Sequence, residues 1–91
     1  ADAGHDGLAR TIRPVHTMSD GDTLFALATG QTRALDFNVL CSMAGEAVAR
    51  ACVNAVQAAR SLSVAGVQLP AAIDIEAAGA RLERAGGRVQ P

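Results

Sequence analysis

A chain of 91 residues, 49% of them hydrophobic, has material for one small domain. With two phenylalanines and no tryptophan or tyrosine, its core must be built from small side chains in close approach. Eight arginines, no lysine and nine carboxylates give a net charge of −1, which argues against nucleic-acid binding, since that needs a concentrated basic face and stacking aromatics. No apolar run reads as long enough to cross a membrane, no leader peptide is read at Ala1, and the two cysteines read as reduced thiols of a cytoplasmic protein.

Residues 2–12 read as the end of a helix, with Leu8 and Ile12 on one side at a spacing of four. Gly4 and Gly7 weaken that helix, and Arg13-Pro14 should stop it near Thr11. Asp20-Gly21-Asp22 follows, with Gly21 expected to let the backbone turn sharply. The apolar run Leu24 to Ala28, closed by Thr29-Gly30, reads as a buried strand. Acids where a turn enters a buried strand are well placed to face a cleft.

After a polar turn at Gln31-Thr32-Arg33, Asp36 is a good N-cap for a helix from Phe37 to about Arg60. Ser42, Glu46, Arg50, Gln57 and Arg60 mark its polar side, and Leu40, Ala44, Ala47, Val48, Ala51 and Ala55 the opposite one. Gly45 permits close backbone approach. Cys41 and Cys52 lie on this helix roughly 16 Å apart, beyond disulfide reach. Ser61 to Leu69 reads as a linker. Ala71 to Ala85 reads as a short helix with Pro70 in its first turn, Gly86-Gly87 as its stop and Arg88 to Pro91 as a loose end.

The chain divides on this reading into a main part, 1–60, and a linker with a short extension, 61–91. One strand cannot satisfy its own backbone groups, so other polypeptide must complete the sheet. By itself Asp-Gly-Asp is an ordinary turn composition. It is no calcium loop, because Thr23 to Ala28 lacks the further oxygen ligands and the closing Glu. Two histidines, His5 and His16, with no third ligand at clear spacing make no metal site either. His16 is better placed to donate a hydrogen bond that stiffens the turn.

Two segments, His5-Asp6-Gly7-Leu8-Ala9-Arg10 and His16-Thr17-Met18-Ser19-Asp20-Gly21-Asp22-Thr23-Leu24-Phe25-Ala26, resemble the self-processing hydrolases that include DmpA-type aminopeptidases, β-aminopeptidases and nylon-oligomer endohydrolases. The likeness runs from His5 to Gly30 and more loosely to Arg60. It implies a precursor that cuts itself, exposing a Ser or Thr nucleophile whose own α-amine serves as base. That nucleophile would lie upstream of Ala1, since none of Thr11, Thr17, Ser19 or Thr23 occupies its place. The chain alone is therefore expected to be inactive.

In the same likeness Asp20 and Asp22 match two acids beside the nucleophile. The aminopeptidase branch carries Ser and Glu there, so this pair leans toward the endohydrolase branch. One acid would orient the terminal ammonium and the other carry a proton, in an order the sequence leaves open. His16 and Thr23 would position the turn around Gly21. The implied fold is α/β (α+β), a fragment of a layered α-β-β-α sandwich comprising a helix end, one or two strands, a long amphipathic helix and a tail. The resemblance further implies no cofactor, an upstream large-subunit segment as partner, oligomers of cleaved heterodimers, and a small amide or peptide as substrate. The competing reading is a non-catalytic assembly module that packs through the 37–60 helix.

Overall fold

The computed structural model describes residues 1–33 and 35–86. In chain order these form α1 (Asp2–Thr11), α2 (Phe37–Ala58), β1 (Leu62–Val64), β2 (Val67–Leu69) and α3 (Ala72–Arg84). Helices with one small sheet make the described chain α+β. It divides into two units, Ala1–Val53 and Asn54–Pro91.

In the first unit, α1 carries Asp2 in its first turn and Arg10 in its last, the order the helix dipole favours. It stops where Pro14 requires: Ile12 is extended at φ −120 and ψ 124, and its N–H bonds back to the Leu8 carbonyl. The two glycines that weaken α1 are its buried residues. A Cβ at Gly7 would strike the Gly45 carbonyl oxygen and lie 2.8 Å from Val48 Cβ and 2.9 Å from the Ala49 nitrogen. One at Gly45 would lie 3.2 Å from the Ala3 carbonyl oxygen. Backbone therefore meets backbone where α1 crosses α2, and helix propensity yields to closeness.

Asp36 caps α2 as expected, its Oδ1 accepting from the Asn38 and Val39 amides at 2.9 and 3.4 Å. The least exposed seam of α2 runs through Cys41, Ala44, Gly45, Val48, Ala49 and Cys52, with Gly45 and Ala49 buried and the others half-buried. Only Ala44 and Val48 of the expected apolar side belong to it; Leu40, Ala47, Ala51 and Ala55 are exposed. The seam is set by where Gly45 admits α1, and bulk hydrophobicity does not reveal that row. Glu46 and Arg50 pair at 2.7 Å on the exposed face, a contact of about a few tenths of a kcal/mol.

Two expectations for this unit are corrected. Leu24 to Ala28 forms no strand: the segment is irregular, with Phe25 and Leu27 at 93% and 95% exposure. A strand needs a partner, and no described segment pairs with this one. Second, α2 is by length and composition able to cross a membrane, having 22 residues and a mean hydropathy of 1.3 in its best window. Alanines scattered among polar residues raise that mean without forming the continuous apolar run sought in the sequence.

In the second unit, β1 and β2 pair antiparallel in the register Leu62↔Leu69, Ser63↔Gln68 and Val64↔Val67. Ala65 and Gly66 both take positive φ, 49 and 79, as a two-residue hairpin turn of the primed type demands. Ser61 to Leu69 is thus a hairpin where a linker was expected. Its signal was masked because alanine stands where Asn or Asp usually precedes the turn glycine. Opposite partners share a face, so Leu62, Val64, Val67 and Leu69 form one side, while Gln68 Nε2 donates to Ser63 Oγ at 2.8 Å on the other.

Ser61 Oγ accepts from the Ala71 amide at 2.8 Å and donates to Asp74 Oδ2, pinning the start of α3. Pro70 lies just ahead of α3 rather than within its first turn. Gly86, at φ 78, ends the helix, its N–H bonding the Glu83 carbonyl. Gly87 and the expected loose end Arg88 to Pro91 lie outside the described residues.

Candidate active site

The chain reverses over Thr17 to Asp20, where the Asp20 amide donates to the Thr17 carbonyl at 3.1 Å and Met18 and Ser19 form the tip. Gly21 is therefore not the pivot. Its φ is outside the left-handed region, and a Cβ there would meet nothing within 4 Å. The left-handed residue is His16, at φ 55. Such a conformation is sparsely populated for a side-chain-bearing residue, although His is among those that tolerate it best.

One atom closes the loop. Asp22 Oδ2 accepts from the His16 amide at 3.1 Å and lies 3.0 Å from His16 Nδ1. Asp22 is half-buried and its second oxygen is left for other donors. Thr23 Oγ1 donates to the Gly21 carbonyl at 3.2 Å and braces the exit of the turn.

The two acids are thus held differently. Asp22 is fixed by His16, whereas Asp20 is exposed and its carboxylate takes no hydrogen bond among the described residues. A concavity of about 630 Å³ in this unit is lined by Thr32, Arg33, Leu35, Asp36, Phe37 and Leu40. It sits at the start of α2, and neither Asp20 nor Asp22 lines it.

His5 joins the constellation from α1. Its ring centroid lies 4.8 Å from that of His16, with the planes tilted by 58°. Its Nδ1 is buried with no hydrogen-bond partner among the described residues. Reading the sequence for metal ligands missed this contact. The one pointer to it was the position of His5 inside the His-Asp-Gly-Leu-Ala-Arg segment. Among the described residues, no three His, Cys, Asp or Glu side chains gather as a metal site.

Comparison with known proteins adds to this geometry. Residues 1–68 match the model of Peptidase family S58. The chain is 48% identical over 79 aligned positions to an uncharacterized aminopeptidase of Mycobacterium leprae (strain TN), an alignment covering 71% of this chain and 21% of that protein. It is 82% identical over 28 residues to uncharacterized aminopeptidases of Mycobacterium tuberculosis and Mycobacterium bovis, covering 31% of this chain and 8% of each of those proteins. The chain thus spans 21% or less of the length of these relatives. No solved structure matches it.

Proposed function

This chain belongs to peptidase family S58, and from that premise we propose that it is the C-terminal part of the small subunit of a self-processing amide hydrolase. The nucleophile is a Ser or Thr upstream of Ala1, made N-terminal when the precursor cuts itself. Its hydroxyl attacks the substrate carbonyl and passes its proton to the α-amine. The amide C–N bond breaks, the amine leaves with a proton, and water resolves the acyl-enzyme.

Within this reading Asp22 is the fixed acid. One of its oxygens accepts the His16 amide and stands against the His16 imidazole, so the other can orient the α-ammonium or a substrate amine without reorganising. Asp20, exposed and unbraced, supplies the second carboxylate. Thr23 and His16 keep the loop in shape. The observation that carries the proposal is this immobilised carboxylate inside the segment that matches the family.

The substrate class is small amides, as short peptides, β-peptides or linear amide oligomers. No cofactor takes part. Residues of the large subunit complete a sheet, and α2 covers one face of it in an α-β-β-α sandwich. That accounts for the exposed side chains of Leu40 and Met43. Cleaved heterodimers assemble as oligomers in the cytoplasm.

Asp20→Asn and Asp22→Asn in the full-length precursor test the assignment, read by self-cleavage on a gel and by amide hydrolysis. Asp22→Asn is expected to lower hydrolysis about a hundredfold, the scale of a lost acid–base group. Normal cleavage and normal hydrolysis in both variants would discard it.

A further inference from the structure

We propose that His5 is a positioning residue for Asp22, acting through the ring of His16. The inference rests on the reading of Asp22 as an active-site acid, and it adds a residue from a different element to that site.

His16 is held from two sides. Asp22 accepts its amide at 3.1 Å and stands 3.0 Å from its Nδ1, and the His5 ring lies against its ring with centroids 4.8 Å apart. A tilted aromatic pair at this distance has a preferred geometry. If the His16 ring swings away from His5, Nδ1 leaves Oδ2, and the carboxylate keeps a single tie to the backbone amide. The wall supplied by His5 therefore decides whether Asp22 is flanked by the imidazole as well as bonded to the amide.

His5 is itself well seated. It stands on α1 between Gly4 and Gly7, the two residues buried in that helix, and Gly7 packs against the α2 backbone at Gly45 and Ala49. Rigidity thus passes from the helix crossing through His5 to His16 and on to Asp22. The buried Nδ1 of His5 has no partner among the described residues. The ring is held there by packing, and what it offers His16 is a tilted ring contact.

That contact sets the test, made in the full-length protein with hydrolysis of an aminoacyl anilide as readout. His5→Ala is expected to lower kcat about tenfold, the mark of a displaced acid that no longer orients the reacting groups. His5→Phe, which keeps a ring face, should recover kcat to within about threefold of the parent. In a His16→Ala background, His5→Ala should cost nothing further, because the two act in series. Should His5→Ala be insoluble, His5→Leu takes its place in every comparison, since it fills the volume without a flat ring.

Parent-like kcat in His5→Ala, a His5→Phe as impaired as His5→Ala, or additive losses with His16→Ala would each overturn the proposal. Asp22→Asn measured alongside separates the two readings. If it keeps parent activity, the assignment of Asp22 fails and that of His5 with it. If Asp22→Asn is impaired while His5→Ala is not, only the role of His5 falls.

Discussion

Gly7→Ala puts the helix crossing of the first unit under direct strain. The new Cβ would meet the Gly45 carbonyl oxygen, Val48 Cβ at 2.8 Å and the Ala49 nitrogen at 2.9 Å. Two of these three are backbone atoms of α2 and cannot rotate aside. Overpacking of this kind costs about 1–3 kcal/mol, and two backbone obstacles place it at the upper end, about 3 kcal/mol. Alanine returns about 1 kcal/mol of helix propensity over glycine, which leaves a net loss of about 2 kcal/mol. Native-state hydrogen exchange of the α1 amides in the full-length protein reads that loss as local opening. Exchange about 30-fold faster than in the parent is expected, at 1.36 kcal/mol per tenfold. Gly79→Ala on α3 is the control: a Cβ there meets nothing within 4 Å, so propensity acts alone and exchange in α3 should slow. Parent-like or slower exchange of α1 in Gly7→Ala would refute the close approach of the two backbones.

Asp36→Ala removes the acceptor of the Asn38 and Val39 amides, and about 1 kcal/mol of cap stability should be lost, seen as faster exchange confined to the first turn of α2. Ala65→Asn places a residue suited to positive φ at the first position of the β1–β2 turn, where Ala65 has φ 49. The hairpin should gain about 0.5 kcal/mol, read as slower exchange of the Val64 and Val67 amides; Ala65→Val should do the reverse.

Local chemistry made the helices readable. Pro14 ends α1, the Asp36 carboxylate opens α2 and Gly86 closes α3, each through groups within a few residues of the boundary. What sequence reading missed depends on distant partners or on atypical residues. Leu24 to Ala28 has the pattern of a strand, yet pairing is a long-range event that no run of side chains guarantees. The hairpin turn at Ala65-Gly66 and the reversal at Met18-Ser19 lack the usual Asn, Asp or Pro signals.

At the candidate site, the acids stood out because Asp20 and Asp22 flank a glycine in an unusual motif. Their inequivalence did not, because it follows from the left-handed backbone of His16, which brings its amide and its ring to one oxygen of Asp22. The contact of His5 with His16 joins the body of α1 to the loop beyond it. No periodicity within either segment encodes it.

Intact mass and N-terminal sequencing of the purified full-length protein put the self-processing reading to its sharpest test. Two chains are expected, the shorter beginning with Ser or Thr upstream of Ala1 and containing Asp20 and Asp22. A single uncut chain that hydrolyses amides at full rate would contradict it.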